Sequence, residues 1–308
     1  MLRKILLVAI VSAIAFAALF QLSNIAKTQD ASQISQIYVF GDSLSDPGNV
    51  FEASQGQVPP SPPYFRGRYA DGLVWTEYLA QQLEINANSN TNFAYGGATT
   101  GNSRQVPFGL LTQIDRYQAS KSKTSTNALY IIWAGANDYL GGGNTTARPV
   151  ENSVTAVKSL VQAGAKNILV VSLPDLGELP GTRNTQRGKE LSNLTQQHNS
   201  QLAAALKNLR QQLTTEPNII YYDVNEIFDR AINNPAKFGF ANVTDTCLSV
   251  ERNQYVVCKN PERYLFWDNI HPSTAAHKLL AETVLTKLKL KESTTGSIPA
   301  IASKYLRF

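Results

Sequence analysis

The chain has 308 residues, of which 43% are hydrophobic and 17% are charged, a composition typical of a globular protein with a substantial core. Its 28 basic and 23 acidic residues give a formal net charge of +5. Because Lys and Arg form no run beyond the basic start of the chain, the sequence does not predict a nucleic-acid partner.

Residues 1–26 have the pattern of an export signal. A basic pair near the start precedes an almost uninterrupted apolar stretch, 5–20, and small and polar residues follow it. We therefore predict an exported protein, periplasmic or extracellular, with the signal removed. A retained membrane anchor is the alternative, although the apolar stretch is short for a full span. The mostly polar residues 27–35 are predicted to form a linker.

The first predicted strand ends in a candidate nucleophile. Residues 37–40 form a short apolar run that stops at Gly41 and Asp42, and Ser43 follows directly. This pattern is typical of a buried parallel strand whose carboxyl end enters a loop. Ligands bind at that end in open α/β sheets, so Ser43 is expected to face a substrate. An ordinary turn is the alternative, because Gly-Asp-Ser is common in turns.

Predicted strands and helices alternate along the rest of the chain. Apolar runs predict strands at 92–98, 127–134, 167–173 and 218–224. Apolar residues at helical spacing predict helices at 71–83, 108–117, 146–161, 191–213 and 273–288. The proline-rich segment 58–65 is expected to form a long loop, and residues 233–267 are expected to be irregular. The alternation predicts one doubly wound α/β domain, residues 36–290, followed by a loosely ordered tail, 291–308.

The chain has two cysteines, Cys247 and Cys258. In an exported protein, a pair this close in sequence predicts a disulfide. Closing so short a loop stabilises by roughly 3 kcal/mol in the chain-entropy model. A metal site would need more ligands than this neighbourhood provides, so we interpret the pair as structural.

Candidate site residues occur where three of the predicted strands end, and a further candidate segment precedes the last helix. They are Ser43, the pair Gly96 and Gly97, Asn137, and the segment 268–271. Each has a simple alternative as a turn or a helix cap. Because a parallel sheet brings its strand ends to one edge, the first three are expected to converge. With the fourth, they supply the parts of a serine acyl-transfer site.

The residue types in these positions fit nucleophilic catalysis. A serine hydroxyl needs a base to take its proton, and His271 would be that base for Ser43. Asp268, three residues earlier, would hold the imidazole in the required tautomer. The oxyanion of the tetrahedral intermediate needs hydrogen-bond donors, which the Ser43 N–H, a glycine N–H and the Asn137 side chain would provide.

Four blocks of this sequence resemble the ordered motifs of the GDSL lipases and esterases, also called SGNH hydrolases. They are FGDSLSD at 40–46, NFAYGGA at 92–98, GAND at 135–138 and DNIHP at 268–272. GRYADG at 67–72 and SLPDLG at 172–177 are also similar to stretches of the larger bacterial and plant members. The resemblance extends over about residues 36 to 285.

The resemblance implies a fold and a set of roles. The fold is a three-layer αβα sandwich with a flavodoxin-like, mostly parallel five-stranded sheet, and neither a metal nor an organic cofactor is expected. Ser43 is implied as the nucleophile, His271 as the base and Asp268 as its partner. The oxyanion hole is implied to consist of Ser43, Gly97 and Asn137, with Gly97 preferred to Gly96 by its distance from the start of its block.

The implied activity is hydrolysis of carboxylic esters, either of lipids or of short acyl groups. The partner would then be a small-molecule or lipid ester, including one held at a membrane surface or in a cell wall; no oligomeric state is predicted. An acyltransferase or a polysaccharide O-deacetylase would use the same site, and a non-catalytic binding protein is a further alternative. Tyr64, Phe65, Arg66 and Arg68 are candidates to line the entrance.

Five other polar residues are given structural interpretations. His198 lies on the leucine stripe of a predicted helix and is expected to be a core residue. His277 has no carboxylate three positions before it and is a poor rival to His271. Asp42, Asp46 and Asp138 are expected to serve in turns, caps or supporting contacts.

Overall fold

Four parallel strands form the central sheet of the computed structural model, which describes residues 34–85, 91–120, 125 and 127–290. In order across the sheet they are β1 (Gln36–Gly41), β2 (Ala128–Trp133), β3 (Asn167–Val171) and β4 (Asn218–Tyr222). All six residues of β2 and all five of β3 are buried. Such strands are apolar on both faces because helices cover both sides of the sheet.

The fifth strand implied by the family resemblance is reduced to a single bridge beside β1. Val39 pairs in parallel with Asn92, and backbone hydrogen bonds continue briefly beyond that pair. On the outer side, Asn49 Nδ2 donates to the carbonyls of Asn92 and Ala94 at 3.1 and 2.8 Å. Because a side chain already satisfies these carbonyls, the segment covers the sheet edge without forming a full strand.

Helices lie on both faces of the sheet. They are α1 (Asn49–Ala53), α2 (Trp75–Gln82), α3 (Leu110–Ala119), α4 (Ala136–Leu140), α5 (Ala147–Gln162), α6 (Gln186–Gln212), α7 (Val224–Asn233) and α8 (Thr274–Leu290). On one face α3, α5 and α6 share a core with residues such as Phe40 and Ile132. On the other face Trp75 of α2 meets Trp133, and Tyr222 bonds Thr283 of α8. The predicted three-layer αβα class is confirmed.

The prediction that residues 233–267 are irregular was wrong. Strand β5 (Asn242–Thr246) pairs in parallel with β8 (Tyr264–Phe266), and β6 (Leu248–Glu251) forms an antiparallel hairpin with β7 (Gln254–Val257). These strands leave little sequence signal, because β7 is exposed throughout and β5 pairs with a segment far along the chain. The predicted disulfide between Cys247 and Cys258 closes the base of the hairpin.

Residues Ile34–Leu285 form one compact unit, and residues 286–290 complete α8. The predicted export signal 1–26, most of the predicted linker and the predicted tail 291–308 lie outside the described residues. Within the described residues, no helix combines the length and apolar character needed to cross a membrane.

Candidate active site

Ser43 lies in a turn just beyond the end of β1. The Leu44 N–H donates to Asp42 Oδ1 at 3.1 Å and holds the turn together. The side-chain amide of buried Gln113 exchanges two hydrogen bonds of 2.8 Å with the backbone of Gly41, which fixes the last residue of the strand. Ser43 itself is 8% exposed, so its hydroxyl is held at the edge of the core.

The structure brings Ser43 and His271 together although 228 positions separate them in the chain. Ser43 Oγ lies 2.9 Å from His271 Nε2. On the other side of the ring, His271 Nδ1 lies 2.8 Å from Asp268 Oδ2 and 3.0 Å from Oδ1. A hydroxyl, an imidazole and a carboxylate thus form a continuous hydrogen-bonded chain, which can move a proton from the hydroxyl to the ring.

Asp268 is surrounded by donors that favour its ionised form. Oδ1 accepts the backbone N–H groups of Ile270 and His271, each at 2.8 Å, and Oδ2 accepts the Tyr64 hydroxyl at 2.7 Å. Burial acts to raise the pKa of Asp268, but the neighbouring His271 and these hydrogen bonds outweigh it and lower the pKa to about 2. The carboxylate is therefore charged at neutral pH and available to the imidazole.

Two tyrosines cover this region: Tyr64, which the sequence predicted only as an entrance residue, and Tyr69, which it did not single out. Tyr64 comes from the proline-rich loop and bonds Asp268. The ring of Tyr69 lies over His271, with 5.1 Å between ring centroids. A side chain on Gly96 would overlap the Tyr69 ring, which explains why glycine occupies that position. The GRYADG stretch marked the neighbourhood of Tyr69, but no local pattern indicated either contact.

The two glycines of the pair differ in whether their backbone N–H already donates a hydrogen bond. The Gly96 N–H donates to buried Asp46 Oδ2 at 2.8 Å. Gly97 has a φ of +81°, and neither its N–H nor that of Ser43 has a hydrogen-bond partner among the described residues. Asp46 also accepts backbone N–H groups from the segment that opens α1, so it ties that segment to the glycine pair. Its predicted role in a turn or cap agrees with these contacts.

Asn137 lies in the first turn of α4, just after β2. Its Nδ2 donates to the carbonyl of Ala98 at 3.0 Å, and its other amide hydrogen has no partner among the described residues. The adjacent Asp138 accepts the N–H and the hydroxyl of Thr100 at 2.9 and 2.8 Å, a supporting contact as expected. The loop that follows the glycine pair is thereby tied to α4 at two points.

A cavity beside Ser43 and Asn137 is lined mainly by apolar side chains. These include Leu140, Leu176, Leu179, Phe228, Phe266 and Ile270. Asp42 also lines it, and burial raises the pKa of Asp42 to about 7, against the opposing influence of the Leu44 N–H and of His271. With a volume of about 20 Å³, the cavity has room only for a small group next to the Ser43 hydroxyl.

The other two histidines are buried and bonded elsewhere. His198 Nδ1 lies 2.8 Å from the Tyr139 hydroxyl, and burial lowers the pKa of His198 to about 4. His277 Nδ1 accepts the Trp75 N–H at 3.3 Å, and burial, aided by His271, lowers the pKa of His277 to about 3. Both are neutral at pH 7. Among the described residues, no group of three or more His, Cys, Asp or Glu side chains is arranged to hold a metal ion.

The fold and the site define an α/β protein that holds a serine, a histidine and an aspartate together beyond the edge of a parallel sheet. The family model described as GDSL-like lipase/acylhydrolase matches residues 37–284. The chain therefore belongs to the GDSL family, as the sequence motifs indicated.

Individual relatives are distant. The chain is 29% identical to a thermolabile hemolysin of Vibrio parahaemolyticus, over 85% of this chain and 66% of that protein. It is 28% identical to a phosphatidylcholine-sterol acyltransferase of Aeromonas hydrophila, over 82% of this chain and 89% of that protein. A carbohydrate acetylesterase structure from Sinorhizobium meliloti is similar at a TM-score of 0.49 and 15% identity, covering 83% of this chain and 98% of that one.

Proposed function

We propose that this protein is an exported serine ester hydrolase that acts on carboxylic esters through an acyl-enzyme. Membership of a lipase and acylhydrolase family supports the reaction class. The observation that carries the proposal is the chain of short contacts from Ser43 Oγ through His271 to Asp268. A nucleophile, a base and a carboxylate within hydrogen-bond distance of one another are the arrangement that acyl transfer requires.

In the first step, Ser43 Oγ attacks the carbonyl carbon of the ester while its proton passes to His271 Nε2. The carbonyl π-bond opens and its electron pair goes to the oxygen, giving a tetrahedral intermediate. Asp268, ionised and facing Nδ1, stabilises the imidazolium that forms. The backbone N–H bonds to Asp268 keep that carboxylate aimed at the ring.

The oxyanion hole is assigned to the Ser43 N–H, the Gly97 N–H and the Asn137 side-chain amide. These residues come after three neighbouring segments of the sheet. Gly97 follows the segment bridged to β1, Ser43 follows β1, and Asn137 follows β2. Gly97 is preferred to Gly96 because the Gly96 N–H is already bonded to Asp46. Donors fixed before the substrate arrives stabilise the transition state without reorganising.

The intermediate then collapses. The carbon–oxygen bond to the alcohol breaks, the alcohol leaves with the proton from His271 Nε2, and the acyl group remains on Ser43. Water attacks the carbonyl carbon of the acyl-enzyme while His271 Nε2 accepts a proton from the water. The bond between that carbon and Ser43 Oγ then breaks, His271 returns the proton to Ser43 Oγ, and the acid is released. The apolar cavity beside Ser43, with a volume of about 20 Å³, is assigned to the part of the acyl group next to the carbonyl carbon.

Replacing the nucleophile tests this proposal. Ser43→Ala should lower the hydrolysis of a p-nitrophenyl ester by on the order of 10³-fold or more, because no acyl-enzyme can form. It should also abolish covalent labelling by a fluorophosphonate. Ser45→Ala, which changes the hydroxyl two positions later, is the matched control and should still label. Labelling of the Ser43→Ala variant would rule out Ser43 as the nucleophile.

Acyl transfer is the second candidate, because one relative is named as a phosphatidylcholine-sterol acyltransferase. The acyl-enzyme would be the same, and an alcohol would replace water as the acceptor. Product analysis with an added alcohol separates the two: transfer predicts a new ester in place of the free acid.

We also propose export, from the pattern of residues 1–26, with residues 36–290 as one catalytic domain. The protein would then act in the periplasm or outside the cell. An N-terminal sequence of the mature protein that begins between residues 18 and 36 would support this, and an intact Met1 would favour a retained anchor.

A further inference from the structure

Most of the exposed large apolar side chains lie on segments that adjoin residues of the candidate active site. In the described part of the chain they are Val58, Val106, Val250, Tyr255, Val256, Val257 and Ile270. Ile270 precedes His271 and lines the cavity beside Ser43. Val106 precedes Pro107, whose ring is the nearest neighbour to the open side of Gly97. Exposed apolar residues that are grouped in this way mark an interaction surface, whereas scattered ones do not.

Most of these side chains belong to the β6–β7 hairpin, whose two faces differ. Val250 lies opposite Tyr255, and Leu248 lies opposite Val257, so these four side chains share one face. Leu248 is buried at the base, whereas Val250 is 64%, Tyr255 52% and Val257 44% exposed. We call these three exposed residues the apolar hairpin face.

The opposite face of the hairpin is mostly polar. It carries the pairs Ser249 with Val256 and Glu251 with Gln254. The hairpin is therefore amphipathic, although both of its faces are open over most of its length. An amphipathic element of this kind has an apolar side that is not covered within the described chain.

The hairpin is fixed directly to the acid–base residues. The disulfide between Cys247 and Cys258 closes its base, and the Leu248 N–H donates to the carbonyl of Trp267 at 2.7 Å. Trp267 precedes Asp268 in the chain. Burial and the neighbouring Asp268 raise the pKa of Tyr64, and Tyr255 lies close enough to add to this effect. The apolar hairpin face thus has a set position relative to the site.

Cations lie at the turn and at the end of the hairpin, and on the loop that carries Tyr64. Arg252 lies at the hairpin turn, Lys259 follows the hairpin, and Arg66 follows the loop tyrosine that bonds Asp268. All three are exposed, and none forms an ion pair with another described residue. Apolar side chains flanked by such cations complement a lipid surface, where the former enter the acyl boundary and the latter meet phosphates.

We infer that the apolar hairpin face docks the candidate active site onto a phosphate-bearing lipid surface. The inference rests on the proposed function, because the ester to be cleaved would be drawn from that surface. Docking through an element tied to Asp268 would place the cavity mouth at the level of the lipid esters.

A local fluorescent reporter tests docking. All three native tryptophans are buried, so a tryptophan introduced on the hairpin gives the main solvent-sensitive signal. Val250→Trp and Val256→Trp place it on opposite faces of the same hairpin. With vesicles of phosphatidylcholine and phosphatidylglycerol that carry brominated acyl chains, we expect at least twofold stronger quenching for Val250→Trp. Equal quenching, or none, overturns the inference.

Charge substitutions test the consequence for activity. Val250→Asp should lower ester hydrolysis in the same vesicles by about tenfold, because an apolar contact with the bilayer is lost. The matched control Val256→Asp should change it less than twofold. Both variants should cleave a soluble p-nitrophenyl ester as the unmodified chain does, which shows that they are folded.

The two proposals fail in different ways. An unmodified chain that cleaves no soluble ester removes the proposed function, whereas the quenching result still decides whether the hairpin docks. A concentration-dependent dimer that Val250→Asp dissociates, without quenching by vesicles, would assign the face to a second copy and overturn the inference.

Discussion

The two halves of the candidate site are held in place by different kinds of contact. The nucleophile half, comprising Ser43, Gly97 and Asn137, follows neighbouring positions of one sheet and is fixed mainly by contacts close to those strand ends. The acid–base half, comprising Asp268 and His271, lies on a turn after β8, where Asp268 accepts two backbone N–H groups of that turn and also the hydroxyl of Tyr64, 204 positions away in the chain. Sheet topology thus positions one half, whereas a local turn and one long-range loop contact position the other.

Trp75, at the start of α2, joins the two halves. Its indole Nε1 donates to Ser45 Oγ at 3.1 Å, two positions after Ser43. Its backbone N–H donates to His277 Nδ1 at 3.3 Å, on the helix that begins just after His271. Because one buried residue bonds both sides, a shift of either half is resisted by the other.

Asp268→Asn should have the largest effect and tests the acid–base half. An amide in place of the carboxylate favours the wrong imidazole tautomer and gives no charge stabilisation, so we expect kcat to fall on the order of 10⁴-fold. Steady-state kinetics on a soluble ester measures it. Asp71→Asn is the matched control, since Asp71 also accepts a backbone N–H near the start of α8, at 2.7 Å from Thr274. A loss under tenfold in Asp268→Asn would remove Asp268 from the triad.

Asn137→Ala tests the nucleophile half and should cost less. Removing one oxyanion donor lowers kcat by about 10²- to 10³-fold, or about 3 kcal/mol, with KM little changed. Asn152→Ala removes a neighbouring amide that donates to Thr100 Oγ1 at 3.1 Å, and it should leave kcat within a few-fold. Equal losses in the two variants would mean that Asn137 only holds the loop.

The contrast between the halves explains what the sequence could predict. The alternation of apolar runs and amphipathic helices identified the three-layer fold, and the strand ends identified Ser43 and Asn137 as neighbours. These inferences work because buried strands and helices have distinct periodicities. The separation of Asp268 and His271 by one turn was also visible, because both lie in a single short segment.

The supporting contacts could not be predicted in the same way. Tyr64 reaches Asp268 from a proline-rich loop without periodicity, and only the folded loop shows its direction. The choice between Gly96 and Gly97 depended on which N–H bonds Asp46. The sequence did not predict the strands between 242 and 266, because β5 pairs with β8 about twenty residues later and the β6–β7 hairpin is largely exposed. Each of these features depends on tertiary contacts that leave no local pattern.

His277→Gln tests whether buried His277, on the helix that follows the acid–base half, makes the stability of the fold depend on pH. Burial lowers the pKa of His277 to about 3 in the folded state, against about 6.5 in the unfolded chain. The unfolded state therefore binds the proton first, and stability is complete above pH 6.5 and falls progressively towards pH 3. Between pH 7 and pH 5 the unmodified chain should lose about 2 kcal/mol more than the variant.

Urea unfolding at the two pH values measures this difference. Because the change in the free energy of unfolding between the two pH values is compared, any pH-independent cost of the substitution cancels. The contributions of carboxylates such as Asp42, which titrate in both proteins, cancel as well. Parallel pH profiles would show that His277 is accessible to protons in the folded chain.

Tyr64→Phe should have the smallest effect and asks how much the acid–base half needs the long-range contact. The variant keeps the ring but removes a hydrogen bond to an ionised group, worth about 1.5 kcal/mol, so kcat should fall about tenfold. Loss of this donor should also raise the pKa of Asp268 above its value of about 2, since the Tyr64 bond helps to lower it.

Tyr69→Phe is the matched control for this comparison. It keeps the ring over His271 and removes a hydroxyl that has no hydrogen-bond partner among the described residues, so kcat should change less than twofold. If Tyr64→Phe is equally active, the two backbone N–H donors and His271 suffice to hold Asp268. The proline-rich loop would then only cover the site, and both halves would be positioned by contacts near their own strands.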